Sequence, residues 1–471
     1  MHRTFYLWLS LLSGVVLLGY MMLAGYREMR PEWHSFQRQY QALMVERATD
    51  EVTRAKARGL TTGIQQLYLA NLGRVDRCTN CHLGVENPLM ADAQLPLKLH
   101  SGDYLKHHPP EQFGCTICHN GQGRATNKDE AHGAVHEAHW DRSIIPTEYI
   151  QSACAACHDF DALKNRGGGN VVQGRDLFLE RGCKGCHKLD GVGGVLGKAL
   201  DGVGSQPAAY FPMKNVEGEK TVYTWMKEHF EDPRNVVAGS QMIGTLSDAE
   251  SDRLTTYLLS LRADEVPKKY RRQDRTPGAA MTDQSGESLY QMYCIACHTT
   301  GLQSVYDEVF AKTIPAIMNP AFLRTVDDTY LKANLSEGRA DTPMTAWKAD
   351  AAGLSDKERD RIIEHVTRNR PPDRPEAFGV GRFDGDPKHG ENLYKVRCMS
   401  CHGDSGQGGV GLNLRNPVVQ KADPEFLAIT VRDGREKTHM AAFGKTGVGL
   451  RDADIADVVS YVRTLADRRQ N

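Results

Sequence analysis

Twelve cysteines are the residues of this 471-residue chain whose type and spacing point most directly to chemistry. They form six pairs of the pattern Cys-x-x-Cys, and a histidine follows each pair directly. The six motifs are Cys78-Cys81-His82, Cys115-Cys118-His119, Cys154-Cys157-His158, Cys183-Cys186-His187, Cys294-Cys297-His298 and Cys398-Cys401-His402. Because no cysteine lies outside these motifs, one kind of chemistry has to account for all twelve thiols.

Covalent haem attachment explains this pattern. Two thiols three positions apart lie on one turn and form thioethers to the two vinyl groups of one haem, and the adjacent histidine binds the iron as proximal ligand. A zinc site would need four ligands, whereas each motif offers three with no matching second pair. A disulfide framework would not require a histidine after every pair. The sequence therefore predicts six covalently bound haem c groups.

An apolar run without charged residues, from Phe5 to Tyr26, lies near the N-terminus. At about 1.5 Å per residue, a helix of this length spans the hydrocarbon core of a bilayer. A cleaved signal peptide is the alternative. It would have a shorter apolar region and a small-x-small cleavage site, which only Ala24-Gly25 approaches. We therefore predict an uncleaved transmembrane anchor over residues 1–30.

The charges that flank the apolar run do not orient it well. Arg3 precedes it and Arg27, Arg30 and Arg38 follow it, a count that alone would place the C-terminal side in the cytoplasm. Attachment of haem c takes place on the outer side of the bacterial cytoplasmic membrane, and this outweighs the count. We expect a single-pass protein of that membrane with its haem domains in the periplasm. Basic and acidic residues balance at 58 and 59, so the composition gives no reason to expect a nucleic acid as partner.

Residues 31–70 are predicted to form a helical stalk that ends at Gly59 and Gly63. Apolar residues recur there at steps of three and four, which is the spacing of one helix face. They are Trp33, Phe36, Tyr40, Leu43, Met44, Ala48, Val52 and Ala55. Such a stripe either packs against the chain's own haem module, its commoner use, or docks another subunit.

The first three motifs lie in a histidine-rich stretch that we predict to be a loop-rich trihaem module, residues 71–165. Met90 is the only methionine between Arg77 and Phe160, so two histidines are the expected axial ligands of each iron. Six histidines lie outside the motifs: His100, His107, His108, His132, His136 and His139. Three are needed. We predict His100, His108 and His132 as distal ligands, with His139 as the first reserve.

The last three motifs lie in three repeats, residues 170–265, 283–370 and 386–468. Each repeat opens with a Gly-x-x-Leu-Phe or Gly-x-x-Leu-Tyr phrase, which starts at Gly174, Gly286 and Gly390. Each ends with a predicted amphipathic helix. Ser247 with Glu250, and Ser355 with Glu358, form capping boxes for two of these helices, and Asp452 is the predicted cap of the third.

A methionine precedes the closing helix in each repeat: Met242, Met344 and Met440. A thioether sulfur at this place can occupy the sixth position of the iron. A methionine that only fills a gap in the core is common, but recurrence at one place in three repeats favours ligation. Met213 and Met226 compete with Met242 in the first repeat.

From Val172 to about Arg468 the repeats resemble class I cytochrome c domains. The resemblance implies a mainly α fold, in which an opening helix, the haem motif, a loop, a distal methionine and a crossing C-terminal helix follow one another. The chain departs from the family at Gly197-Lys198-Ala199-Leu200, where a proline commonly follows the glycine. The departure concerns the haem pocket wall of the first repeat.

The N-terminal part is similar to the multihaem cytochrome subunits that accompany bacterial bc-type quinol oxidoreductases. The similarity rests on the anchor, the stalk, Val75-Asp76-Arg77-Cys78 and the run from Phe113 to Gly123. It implies electron transfer from a cytochrome b/Rieske-type or other quinol-oxidising complex to a periplasmic or terminal acceptor. The alternative is an enzyme, a peroxidase or nitrogen-oxide reductase, which would need an iron with an open sixth position. Since every motif has a candidate distal ligand, we expect no catalytic residues.

Overall fold

The computed structural model describes residues 2–133, 143–242, 246–263, 284–379 and 383–466. These residues are mainly helical, as predicted, with two short antiparallel strand pairs. The chain divides into two compact units. The first comprises the described residues up to His158 together with Ser205–Phe211, and the second comprises Asp159–Gly204, Pro212–Ala263 and the described residues from 284 onwards. The predicted division into one trihaem module and three repeats is finer than these units and stays a prediction.

The first unit begins with one long helix, and nearly all its other helices are short. The α-helices are His2–Glu28, Glu32–Arg47, Glu51–Arg58, Tyr104–His107, Pro110–Phe113, Thr116–His119, Lys128–His132 and Gln151–Cys154. Strands Leu67–Leu69 and Arg74–Asp76 pair with Tyr68 opposite Val75. From Tyr104 onwards no described helix of this unit exceeds five residues, which agrees with a loop-rich module.

The first helix is apolar enough to cross a membrane. Its segment Arg3–Tyr26 has a mean hydropathy of 2.0, and none of it is buried against the rest of the protein. An apolar helix surrounded by water would be costly, whereas the same surface is favourable in lipid. The helix therefore fits the predicted membrane anchor.

The stalk is not one continuous helix. Glu32–Arg47 ends before Ala48, and a new helix starts at Glu51 with Asp50 as its N-cap. The Asp50 carboxylate accepts hydrogen bonds from the backbone N–H of Thr53 at 2.8 Å and from its hydroxyl at 2.7 Å. This local cap competes with helix continuation, so the predicted helical stalk consists of two helices.

The apolar stripe of the first stalk helix packs against the chain's own first unit. Its members contact a small core formed by Met90, Ala93 and Leu97, all buried. The stripe residues in this contact are Phe36, Tyr40, Leu43 and Met44. The packing interpretation is confirmed for these four residues, while Val52 on the second stalk helix is exposed.

The second unit contains three pairs of opening and closing helices. The opening helices are Gly169–Glu180, Gly286–Tyr293 and Pro387–Arg397, and the closing helices are Asp248–Ser260, Asp356–Thr367 and Asp452–Thr464. Other helices lie between or beside them: Phe160–Lys164, Val222–Glu231, Pro233–Val236, Ile295–His298, Pro320–Thr325, Asp328–Glu337, Met399–His402, Pro417–Lys421 and Pro424–Asp433. One strand pair, Val305–Asp307 with Lys312–Ile314, completes this unit.

The glycine of each opening phrase lies where the two helices of a pair cross. A Cβ at Gly174 would overlap the carbonyl oxygen of Arg253, and a Cβ at Gly286 would overlap that of Arg361. A Cβ at Gly390 would likewise overlap the carbonyl oxygen of Asp457. The phrase therefore repeats because only glycine lets the two backbones approach this closely.

The caps of the closing helices agree with the sequence in two cases of three. Both predicted capping boxes, Ser247 with Glu250 and Ser355 with Glu358, are present. The predicted cap Asp452 is wrong, because this residue already lies in the first turn and Arg451 is the N-cap. The carboxylate of Asp454 accepts from the backbone N–H of Arg451 at 3.1 Å and binds its guanidinium at 3.0 Å, which holds the helix start instead.

Replacing Gly390 by alanine is expected to destabilise the third repeat by about 1–3 kcal/mol, because the added methyl group must displace the closing helix. Thermal unfolding of the haem-loaded full-length protein, followed by circular dichroism, measures this change. Gly169→Ala is the matched control, since a Cβ at this helical glycine meets no atom within 4 Å. Equal stability of the two variants would contradict the close approach at Gly390.

Candidate functional site

All six motifs adopt the same turn. In each, the backbone N–H of the histidine donates to the carbonyl oxygen of the first cysteine at 2.9–3.0 Å. The turn places the two thiols and the imidazole on one short helical segment, and all twelve cysteines are half-buried. This arrangement suits two thioethers and one iron ligand to the same haem.

Three histidines that the sequence predicts as distal ligands lie opposite three proximal histidines in the first unit. The pairs, with the distances between ring centroids, are His82 and His132 at 6.2 Å, His119 and His100 at 6.2 Å, and His158 and His108 at 5.8 Å. Two imidazoles bound through nitrogens about 2 Å from one metal have centroids about 6 Å apart. Each pair therefore has the spacing of bis-histidine ligation. The reserve residue His139 lies outside the described residues, as does His136.

Backbone carbonyls orient several of these rings. Nδ1 of His100 bonds the carbonyl of Ser101 at 2.8 Å, and Nδ1 of His108 bonds that of Tyr104 at 3.1 Å. A carbonyl can only accept, so these Nδ1 atoms carry the proton and Nε2 keeps a free lone pair. Burial lowers the pKa of His82 and of His119 below their ordinary values. Neutral rings with an available Nε2 are the form that binds iron.

Hydrogen bonds to backbone carbonyls also orient the proximal histidines of the three repeats. Nδ1 of each ring bonds a backbone carbonyl: His187 to Lys198 at 2.8 Å, His298 to Pro315 at 3.3 Å, and His402 to Leu412 at 2.8 Å. Lys198 occupies the position at which the sequence departs from the usual proline, and its carbonyl still serves the histidine. Because only the backbone oxygen is required, the departure leaves this part of the pocket wall intact.

A cavity in the second repeat brings four predicted haem-binding residues together. Cys294, Cys297, His298 and Met344 all line it, and apolar side chains such as Trp347 form much of its wall. Burial lowers the pKa of His298 to about 4, so its imidazole is neutral at neutral pH. Two thiols, a neutral imidazole and a thioether around an apolar cavity fit a covalently bound haem.

The other two predicted methionines occupy related positions. Met440 and Met344 lie in equivalent loops. In the second repeat the backbone N–H of Arg339 donates to the carbonyl of Met344 at 2.8 Å, and in the third repeat the backbone N–H of Arg435 donates to the carbonyl of Met440 at 2.8 Å. Met242 is half-buried, and its backbone N–H bonds the Ser240 hydroxyl at 3.3 Å. Of its competitors, Met226 is fully buried on the helix Val222–Glu231 and Met213 is half-buried in a short 3-10 helix.

His229 is a further site residue of the first repeat, which the motifs did not reveal. Its ring stacks on Trp225 with the centroids 4.5 Å apart, and its Nδ1 is buried without a hydrogen-bond partner among the described residues. Burial, with a smaller contribution from nearby His187, lowers the pKa of His229 to about 4. A neutral histidine near the proximal ligand can itself bind iron. The only sequence signal was a histidine between the haem motif and Met242.

Two motifs lie side by side in each unit. In the first unit the thiol of Cys78 lies close enough to that of Cys115 to raise the pKa of Cys115. In the second unit the thiol of Cys186 likewise lies close enough to that of Cys297 to raise the pKa of Cys297. Gly185 permits this approach, because a Cβ there would lie only 2.8 Å from the carbonyl oxygen of Tyr293. Thioethers formed at these cysteines would therefore be neighbours.

A buried carboxylate supports the contact in the first unit. Asp76 is fully buried, and one residue, Arg77, separates it from Cys78 of the first motif. Its Oδ2 accepts hydrogen bonds from the backbone N–H of Cys115 at 2.7 Å and of Thr116 at 3.2 Å. Side chains at Gly114 or Gly123 would overlap this carboxylate. Asp76 thus fixes the start of the second motif next to the first.

Comparison with known proteins agrees with this site. Residues 282–366 and 385–462 match the family described as cytochrome c oxidase, cbb3-type, subunit III, and residues 171–262 match the family cytochrome c. The cbb3-type cytochrome c oxidase subunit CcoP of Azospirillum sp. (strain B510) is 27% identical over 228 residues, which cover 44% of this chain and 70% of the relative. The cytochrome bc1 complex cytochrome c subunit of Mycobacterium leprae (strain TN) is 23% identical over 218 residues, which cover 41% of this chain and 68% of the relative.

One solved structure, the reducing HAO-like protein complex of Kuenenia stuttgartiensis, is 17% identical and has a TM-score of 0.25, which is too low to support an argument. The match covers 39% of this chain and 96% of the solved chain.

The ranges that match the two cytochrome families contain the last three motifs. Cytochrome c domains bind haem c covalently. With its candidate membrane helix and its further motifs, the chain is a membrane multihaem c-type cytochrome.

Proposed function

We propose that this cytochrome carries six haem c groups and transfers electrons at the periplasmic face of the bacterial cytoplasmic membrane. Its donor would be a quinol-oxidising membrane complex, and its acceptor a periplasmic or terminal oxidant. The observation that carries the proposal is the turn shared by all six motifs. Haem supplies one-electron chemistry of iron, and the protein sets its position, its axial ligands and its surroundings.

The axial ligands that we assign follow the spacing of the side chains. His132, His100 and His108 are the proposed distal ligands for the first, second and third motifs, in that order. Their support is the ring spacing of about 6 Å that two ligands of one metal require. Met344 is the proposed ligand opposite His298, supported by the cavity that both residues line. Met242 and Met440 are proposed by their equivalent place in the repeats.

Close contacts between motifs support rapid electron exchange inside each unit. The sulfur contacts join the first motif to the second and the fourth to the fifth. Electrons that enter near the membrane would move along the bis-histidine sites and then to the histidine–methionine sites. Methionine ligation raises the potential of a haem relative to a second histidine, so this order is energetically downhill.

The relatives support a place in a respiratory complex. Two are described as subunits of a cbb3-type cytochrome c oxidase and of a cytochrome bc1 complex. A catalytic haem would need an open sixth position and acid-base groups beside it. The candidate ligands opposite the proximal histidines favour electron transfer over the peroxidase or nitrogen-oxide reductase alternative.

A redox titration of the purified protein, followed by optical spectroscopy, is expected to resolve two groups of haems. Three should titrate at lower potential and three at higher potential, because bis-histidine and histidine–methionine ligation stabilise the oxidised iron to different extents. The intact mass of the chain should also exceed that of the polypeptide by six haems. A single common potential would contradict the downhill order.

Replacing the distal methionines tests the ligand assignment. Met344→Leu is expected to make one haem of the six high-spin in the oxidised protein, seen by electron paramagnetic resonance. Met242→Leu is the matched comparison, and we expect it to stay low-spin because His229 can occupy the position that the sulfur leaves. The double variant His229→Leu/Met242→Leu should then become high-spin. Spectra without any change in Met344→Leu would refute ligation by that residue.

Copurification tests the proposed donor. The native protein, solubilised in detergent and captured by affinity, is expected to retain a cytochrome b and a Rieske-type or other quinol-oxidising subunit, identified by mass spectrometry. A control capture with the anchor residues 1–30 deleted should lose these partners if the membrane helix contributes to assembly. Recovery of soluble cytochromes only would remove the quinol complex from the proposal and leave electron transfer in place.

A further inference from the structure

Two arginines occupy the same place in the second and third repeats. Arg339 and Arg435 each follow the glycine that ends a helix, Asp328–Glu337 and Pro424–Asp433 respectively. The backbone N–H of each arginine donates to the carbonyl of the candidate distal methionine, Met344 or Met440. The carbonyl of each arginine accepts a hydrogen bond from a threonine hydroxyl, Thr342 or Thr438, at 2.8 Å. The two backbones are therefore equivalent around the arginines.

The side chains that surround the two guanidinium groups differ. Arg339 donates from Nε to Asn334 and from Nη2 to the Tyr330 hydroxyl, both at 2.9 Å. In the third repeat, Thr430 takes the place of Asn334, and Phe426 takes the place of Tyr330. Phe426 has no acceptor, and the Thr430 hydroxyl is buried without a hydrogen-bond partner among the described residues, so it does not bind Arg435. Nε of Arg435 is buried without a hydrogen-bond partner among the described residues.

Arg435 reaches from the third repeat into the candidate haem cavity of the second. Its guanidinium carbon lies 4.7 Å from the centroid of Phe322, and the residue lines the same cavity as His298 and Met344. Asn319 of the second repeat donates to the backbone carbonyl of Glu436 at 2.8 Å, which holds the two segments together. Residues of both repeats line the cavity, but its candidate haem ligands, His298 and Met344, belong to the second repeat.

Arg435 is half-buried, and its Nε–H group has lost water without gaining an acceptor, which costs free energy. Burial lowers the pKa of Arg435 to about 10; nearby Tyr330 acts to raise this pKa, and the nearby charge of Arg339 acts to lower it. The group is still charged at neutral pH. An anion in the cavity would offset this cost, and a haem carries two carboxylates.

We propose that Arg435 binds a carboxylate of the haem held by Cys294 and Cys297, so that the third repeat completes the haem site of the second. This inference rests on the proposed haem at that motif. A guanidinium next to a haem stabilises the reduced iron, which carries one positive charge less than the oxidised iron. Arg435 is thus a positioning residue that raises the potential of the neighbouring repeat's haem.

The test uses the full-length haem-loaded protein and a spectroelectrochemical titration. Arg435→Gln is expected to lower the potential of one haem and leave the others unmoved, whereas Arg435→Lys, which keeps the charge, should retain most of the wild-type value. Arg451→Gln is the control, since Arg451 lies on the surface of the same repeat with its side chain 78% exposed. A titration of Arg435→Gln that matches wild type would overturn the proposal.

A second variant keeps the test decisive if Arg435→Gln does not fold. Phe426→Tyr/Thr430→Asn gives Arg435 the partners that Arg339 has, and should draw the guanidinium away from the haem. The potential of that haem should fall, and its carboxylate bending mode should shift in resonance Raman spectra; unchanged spectra and potential would refute the proposal. Loss of the haem from wild-type protein, seen as an intact mass of five haems, would instead refute the proposed function at this motif.

Discussion

Every candidate haem site of this chain depends on a single local interaction, the hydrogen bond from the backbone N–H of the motif histidine to the carbonyl of the first cysteine. It fixes a turn in which both sulfurs and the imidazole belong to one rigid segment. Because the attachment points are local, the rest of the fold does not have to assemble them. It has only to supply a ligand from the other side and apolar walls around the group. Helices of four or five residues suffice for that purpose in the first unit.

Backbone carbonyls then set the chemistry of the imidazoles. They bind Nδ1 of several histidines and leave Nε2 available, and burial lowers the pKa of His187, His298 and His402, which favours the neutral form of these three rings. A carbonyl is present at every residue, so this device tolerates changes of side chain. Lys198 can therefore replace the usual proline while its carbonyl still orients His187. The orientation of the histidine therefore depends on the backbone at these positions and not on the side chain there.

The repeats show how one architecture can acquire different surroundings for its cofactor. Their crossing helices meet at equivalent glycines, and their methionine loops are equivalent in backbone hydrogen bonding. The polar side chains around the loops have diverged. Arg339 has partners inside its own repeat, whereas Arg435 faces the neighbouring one. Thr430 and Phe426, where the second repeat has Asn334 and Tyr330, thus change the surroundings of the arginine without altering the helices.

The sequence by itself determined the six Cys-x-x-Cys-His motifs, the mainly helical class, the apolar N-terminal helix and the caps at Ser247 and Ser355, because each depends on residues close together in the chain. Only the tertiary structure decided which histidine lies opposite which, since His100 approaches His119 and not the motif that precedes it. It also decided the burial of Asp76 against the second motif and the position of Arg435 at the cavity of the second repeat. These features arise from contacts between distant residues, which neither periodicity nor spacing records.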